Sequence, residues 1–250
     1  MRGLIFLSVF LWALPSLGQV NTEEFRSGGP KGHTGFSSSS TLGGTLNRGN
    51  VKANLFNTSV RLGYRLNKHH FFSHTDYSHG SSDKGLFQEA GFTHLRWTAM
   101  WEGAWGSDLF LQAQYDRFKN LKLRTLGGGG VRLVGGELDT LVCALGLGAM
   151  AEHEELREGK GDYLAWRSTN YLSASLNLED KDRLTLVVYY QPKLSEPTDY
   201  RLSLDAVLET HLMGNLYVAP IFSYRFDAKP PQGVGQVDMV LKYTLTLRYE

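Results

Sequence analysis

One cysteine in 250 residues leaves nothing for a disulfide framework and rules out a Cys-rich zinc or iron–sulfur site. Neither charge is in excess: 26 Lys and Arg stand against 25 Asp and Glu, where a nucleic-acid binder would show a basic surplus. No run of about 18 apolar residues occurs, so the mature chain carries no transmembrane helix. A helical period never persists for three turns after residue 33. Extended disorder is excluded from the other side, because 42% of the chain is hydrophobic and 12% aromatic. A soluble β-domain or a transmembrane β-barrel remains.

The N-terminus reads as an export signal. Arg2 supplies a positive start, Leu4 to Leu14 form an apolar core, and Ser16 and Gly18 place small residues at the −3 and −1 positions of a cut after Gly18. The apolar stretch is too short for an anchor, which needs ~20 residues. Residues 1–18 are therefore expected to be a signal peptide, residues 19–33 a short N-terminal segment, and residues 34–250 one β-barrel domain.

Period-two alternation is the dominant pattern. From Val237 to Tyr249 every odd position is apolar or aromatic, while Asp238, Lys242, Thr244, Thr246 and Arg248 occupy even ones. Thirteen residues exceed the usual globular strand of ~5–6 and suffice for a membrane-crossing strand, which needs ~9–11. Leu202, Leu204, Ala206 and Leu208 alternate with Arg201, Ser203, Asp205 and Glu209. Leu109, Leu111, Ala113 and Tyr115 alternate with Gln112, Gln114 and Asp116. About twelve such segments are predicted, at 34–47, 52–66, 70–79, 86–99, 107–118, 124–134, 139–153, 163–178, 184–193, 200–210, 216–227 and 237–249. The predicted fold is all-β: a transmembrane antiparallel up-and-down barrel. With a periplasmic N-terminus, outer loops fall near 48–50, 80–85, 119–123, 154–162, 194–199 and 228–236. Inner turns fall near 67–69, 100–106, 135–137, 179–183 and 211–215.

A soluble β-sandwich also alternates. Three features favour the barrel: the length of the segments, aromatics such as Phe222, Tyr243 and Tyr249 near segment ends, and acids and bases together on the polar faces. An all-β chain in lipid must close to satisfy its backbone, and the wet rows then point inward. The lumen-facing charges predicted on this basis are Asp116, Arg124, Arg132, Arg167, Arg201, Asp205, Glu209, Arg225, Lys242 and Arg248. A one-residue slip of any strand would put such charges into lipid, so alternation also sets register. Balanced acids and bases imply weak ion selectivity or a lumen plugged by ion pairs. Cys143 shares the apolar row of Leu141, Leu145 and Leu147 and reads as a small hydrophobe. The run Gly127 to Gly130 has no following Lys-Ser/Thr and no helix, so it reads as room for a neighbouring side chain rather than a phosphate loop.

The segment Gln112, Gln114, Tyr115, Phe118, Leu121 and Arg124, leading into Gly127–Gly129, resembles the central hairpin of the salt-induced outer membrane protein family of Gram-negative bacteria. The turn Asn47-Arg48-Gly49-Asn50 is similar to that family's Gly-Asn turn after its first strand. The resemblance spans residues 36–249 and implies an outer-membrane barrel of unassigned activity, with no functional residues to carry over. An aromatic terminal residue is usual for outer-membrane barrels; here Tyr249 is penultimate and Glu250 is last.

Two chemical readings compete with a passive barrel. His79-Gly80-Ser81 resembles the His-x-Ser of outer-membrane lipid hydrolases, where His activates a Ser nucleophile, but Ser82-Asp83 follows where those enzymes have Asn-Gly, and the string falls at a predicted loop. His74, Asp76 and His94 could share the lumen and supply a zinc-type donor set. The expectation is a non-enzymatic outer-membrane barrel without cofactor or metal, acting as a narrow, porin-like channel or a structural envelope protein. A lipid hydrolase and a soluble periplasmic β-domain are the alternatives. Expected partners are outer-membrane lipid, lipopolysaccharide and the barrel assembly machinery, with small solutes as candidate cargo and no nucleic acid.

Overall fold

The computed structural model describes residues 34–47, 52–138, 140–158, 162–178 and 182–249. The expected signal peptide (1–18), the segment 19–33, the turn at 48–50 and Glu250 lie outside the described residues. The strands are β1 (Gly35–Asn47), β2 (Ala53–Leu66), β3 (His69–Ser82), β4 (Gly85–Met100), β5 (Trp105–Asp116), β6 (Leu121–Leu138), β7 (Leu141–Leu156), β8 (Tyr163–Asn177), β9 (Arg183–Lys193), β10 (Glu196–Met213), β11 (Leu216–Asp227) and β12 (Val237–Tyr249). Each strand pairs antiparallel with its sequence neighbours, and β1 meets β12 to close the barrel. One 3₁₀ turn, Arg117–Lys119, is the only helical piece among the described residues.

Burial is inverted relative to a soluble domain. The inward rows bury polar and charged side chains, among them Gln112, Gln114, Arg124, Glu152, Arg167, Arg201 and Asp205. The outward rows expose Leu109, Leu111, Leu145, Leu147, Leu172, Leu186, Leu241 and Leu245. In water this would expose an apolar surface far beyond the few hundred Å² usual for a monomer. In a bilayer it is the expected arrangement, lipid outside and a polar interior. Trp101 and Trp105 lie at the end that carries both termini, and Trp166 near the other end, where rings with a polar edge favour the interface.

Connections are shorter than alternation alone predicts. The loop expected at 194–199 is the two-residue turn Leu194-Ser195, because β10 resumes at Glu196 and absorbs the irregularity as a bulge before Tyr200. The 211–215 turn shrinks to Gly214-Asn215, with Gly214 at φ +51°. Likewise β3 runs on to Ser82, so His79-Gly80-Ser81 lies inside a strand and not in a loop; the ladder continues past a register shift to Ser82↔Gly85. The longest connection among the described residues, 228–236, joins β11 to β12. The end bearing the 117–120, 157–162 and 228–236 connections is called the loop end below.

The glycine run lets strands crowd. At Gly128 a Cβ would meet the Met150 and Phe110 side chains, and at Gly130 it would fall on the backbone of Leu147 and Gly148. No phosphate cradle forms there; the run is the middle of β6.

Candidate functional site: an ion-paired lumen

The loop-end half of the lumen is organised around one carboxylate. Glu152 projects inward from β7 and has no solvent exposure. Arg201, from β10, donates to both its oxygens at 2.7 and 2.8 Å, and Arg124, from β6, donates at 2.9 Å. Arg167 Nε, from β8, lies 3.2 Å away, and the Tyr163 hydroxyl donates at 2.8 Å. The neighbouring Glu154 sits 3.3 Å from both Arg124 and Arg201 and 3.1 Å from the Tyr163 hydroxyl. Arg167 also donates to the Asp199 carboxylate at 2.8 Å, and Arg201 Nε to Asp227 at 2.9 Å. Three guanidiniums thus share four carboxylates across five strands, with Lys193 3.6 Å from Asp199 as the balancing charge. A planar fork of donors suits such shared, bidentate contacts.

A second cluster crosses the barrel nearer the end that carries the termini. Arg96 on β4 lies over the Phe110 ring at 5.6 Å and the Tyr171 ring at 5.9 Å, and donates to the Tyr189 hydroxyl at 3.4 Å. The Arg96–Tyr189 contact joins β4 to β9, five strands apart in a ring of twelve, so it spans the lumen. The Tyr171 hydroxyl donates to Asp108 at 3.0 Å, Thr98 donates to the same carboxylate, and Arg132 lies 3.8 Å from it. Alongside, His74 meets Phe92 edge-on and Phe92, His94 and Phe110 stack in sequence, with centroids 5.5 to 6.3 Å apart.

The other expected lumen charges lie on the same inward rows. Arg225 pairs with Asp205 at 2.7 Å, and Ser223 donates to Asp205 at 2.5 Å. Arg248 pairs with Glu209 at 2.5 Å and sits over the Tyr217 ring. Asp116 accepts from the Phe118 and Lys119 amides at 3.0 and 3.2 Å, capping the 3₁₀ turn. That turn presents Lys119 to Asp238 on β12, so an ion pair crosses the loop-end mouth. Pro230, Pro231 and Val234 of the 228–236 connection help line a residual cavity of about 80 Å³ beneath it, with Arg124, Glu154, Arg201 and Arg225. Lys242 shares the inward row of Val240 and Thr246 and is exposed.

A family model described as "Protein of unknown function, DUF481" matches residues 40–249. The chain belongs to this family. No curated protein matches it. Among solved structures, this DUF481 member is similar to the translocator domain of the autotransporter NalP from Neisseria meningitidis, at 12% identity over 87% of this chain and 89% of that one, TM-score 0.44. It is similar to the β domain of the Bordetella autotransporter BrkA at 8% identity, covering 86% and 97%, TM-score 0.43. The transport unit of AIDA-I from Escherichia coli matches at 12% identity, covering 86% and 88%, TM-score 0.36. No functional role follows from likeness at that level.

In this DUF481 member the two chemical candidates are arranged as follows. His79 and Ser81 both fall on the outward row of β3, with Phe56 and Glu89 opposite His79 in the register; no hydrogen bond joins the two among the described residues. His74 and Asp76 pair at 2.9 Å, but His94 turns its ring to Gln112 at 3.1 Å, and no group of three or more metal-type ligands converges among the described residues. Cys143 lies half-buried on the outward row of β7. The expected lumen set omits Glu152, Glu154, Asp108, Arg96 and Asp199, which the structure places at the centre of both clusters. Glu152 and Glu154 occupy even positions of the strand whose odd positions are Cys143, Leu145 and Leu147, so parity alone identifies their face.

Proposed function

We propose that this chain is an outer-membrane β-barrel of a Gram-negative bacterium, exported by its signal peptide, with the loop end outside and both termini in the periplasm. Its lumen is held shut by the ion-paired network, and its role is that of a structural envelope protein and not an open porin-like channel. The 228–236 connection at the loop end, the longest among the described residues, against two-residue turns at 67–68 and 214–215 at the other end supports the orientation. The observation that carries the closed state is the fully buried Glu152, held by three guanidiniums, above a lumen bridged from Arg96 to Tyr189. The reading includes no enzymatic activity and no cofactor. Its partners are outer-membrane lipid, lipopolysaccharide at the loop end and the barrel assembly machinery, with small solutes passing only if the network breaks.

A link to salt stress rests on the resemblance noted above, and the physics is compatible with it. Mobile ions screen exposed charges beyond ~8–10 Å at physiological ionic strength and screen buried pairs much less. A plug made of buried pairs therefore holds as external salt rises. Two experiments test the proposal. In envelope fractionation the protein is expected with the outer membrane and resistant to a salt wash; release by salt would support a soluble periplasmic domain instead. Proteoliposomes containing the folded protein are expected to swell in small sugars no faster than empty ones, whereas fast swelling would establish an open channel.

A further inference from the structure

Every other seam of the barrel carries nine to fifteen paired residues, whereas the closing seam between β1 and β12 carries four, Ser38↔Tyr249 to Thr41↔Thr246. Past Thr41 both strands continue, and the ladders among the described residues join Leu42–Asn47 to β2 and Val237–Leu245 to β11. The same register carried onward would set Leu42 against Leu245 and Asn47 against Val240, six rungs that the β1–β12 ladder of the described residues does not include. At about 3.3 Å per residue the gap is a slit ~20 Å long. It runs towards the loop end, within the band where outward residues are apolar.

An unpaired strand edge in hydrocarbon has no water to satisfy its amides and carbonyls, so such a slit calls for an occupant. Its two sides differ in chemistry. Outside, Leu42, Leu46 and Tyr243 are among the most exposed apolar residues, at 70%, 74% and 70%. Inside, Gly43 contributes no side chain, and a Cβ there would meet nothing within 4 Å. The lumen rows beside it carry Thr45 on β1 and, opposite Gly43 on β2, Asn57, both at least partly exposed, where the far wall carries buried Arg–Glu pairs. Lys242 stands on the lumen row of the slit's β12 wall. It is exposed, and among the described residues no carboxylate lies within ion-pair distance of it. Its ammonium is within electrostatic reach of Asp76 and His74 deeper in the barrel.

We infer that this slit is a lateral portal for a phosphate-bearing lipid of the loop-end leaflet, the phosphate meeting Lys242 and the acyl chains lying against Leu42, Leu46 and Tyr243. An apolar lip outside and an exposed cation inside match one amphiphile in one orientation. The inference rests on the membrane-barrel reading and assigns a ligand to a part of the wall that the ion-paired lumen does not use.

The test uses the full mature protein in vesicles of phosphatidylethanolamine and phosphatidylglycerol doped with a photoreactive phosphatidylglycerol whose reactive group is at the headgroup. Labelling is expected on the lumen rows at Gly43, Thr45, Lys242 and Thr244. Lys242→Gln is expected to reduce it about tenfold, the worth of one charge-assisted contact, and Lys242→Arg to restore it. In a Cys143→Ala background, Gly43→Cys with Thr244→Cys is expected to abolish labelling when oxidised and recover it when reduced. Labelling confined to Leu42, Leu46 and Tyr243, or equal in Lys242→Gln and wild type, overturns the portal even if the cysteine pair does not fold. Failure of the wild type to float with the vesicles would instead overturn the membrane reading itself.

Discussion

Replacing Glu152 by Gln removes one charge and little volume from the most heavily contacted carboxylate in the barrel. The wild-type group accepts from Arg201 at 2.7 and 2.8 Å, from Arg124 at 2.9 Å and from Tyr163 at 2.8 Å, with Arg167 at 3.2 Å and no solvent exposure. The amide keeps one acceptor oxygen but turns an NH₂ towards guanidinium donors. Arg167 retains Asp199, Arg201 retains Asp227 and Glu154, and Arg124 retains Glu154, but each loses its contact with the deepest carboxylate. Breaking a buried pair by removing one partner typically costs ~3–5 kcal/mol, because the remaining charge stays buried. The expected loss for Glu152→Gln is about 3–5 kcal/mol. Glu89→Gln provides the control: it also removes an arginine partner, but its pair with Arg117 is 31% and 53% exposed, and pairs that water reaches are worth ~1 kcal/mol or less. Urea unfolding of both variants in lipid vesicles, followed by the loss of β-sheet circular dichroism, gives the comparison. Equal losses in the two variants, or a loss below about 1 kcal/mol for Glu152→Gln, would refute the claim that this carboxylate organises the lumen.

Three further outcomes follow from the wall. Leu111 is 63% exposed on the outward row midway along β5, so Leu111→Arg is expected to cost ~2–4 kcal/mol in a bilayer; Leu123→Arg, near the loop-end rim, is expected to cost ~0–1, and equal costs would argue against the assigned membrane band. A Cβ at Gly146 would overlap the Tyr171 ring, which is held by Asp108 and Tyr189, so Gly146→Ala is expected to lose ~1–3 kcal/mol and Tyr171→Leu in the same chain to recover part of it; a neutral Gly146→Ala in the same unfolding assay would show that the ring is free to move. Ser81→Ala is expected to leave the release of fatty acid from phospholipid vesicles at the level of the wild type, and a drop would revive the hydrolase reading.

Alternation carries most of the architecture because lipid enforces it. A charge on the outward row costs kilocalories, so Arg201, Asp205 and Arg225 fall on inward rows without any coordinates. The twelve segments accordingly coincide with the twelve strands to within a few residues at most ends. The misjudged ends have local causes. Pro197 and Thr198 interrupt the pattern, so Leu194–Asp199 reads as a loop, and the inward Asp199 that binds Arg167 is lost with it. His79-Gly80-Ser81 reads as a loop for the same reason, being polar at every position, while backbone pairing to β2 and β4 holds it extended. Pairing across the lumen is not legible at all. Arg96 and Tyr189 are 93 residues apart on strands that are not neighbours, and only barrel closure brings them together. The incomplete β1–β12 seam is equally invisible, since the polar run Ser38–Thr41 is the part that pairs and the apolar Leu42 and Leu46 lie where pairing stops.

Single-channel current through the folded mature protein in a planar bilayer tests the central claim most directly, with Glu152→Gln measured alongside. The account predicts silence from inserted wild type and openings that appear or become more frequent in Glu152→Gln. Discrete, reproducible openings of the wild type, unchanged by the substitution, would contradict a lumen held shut by its buried ion pairs.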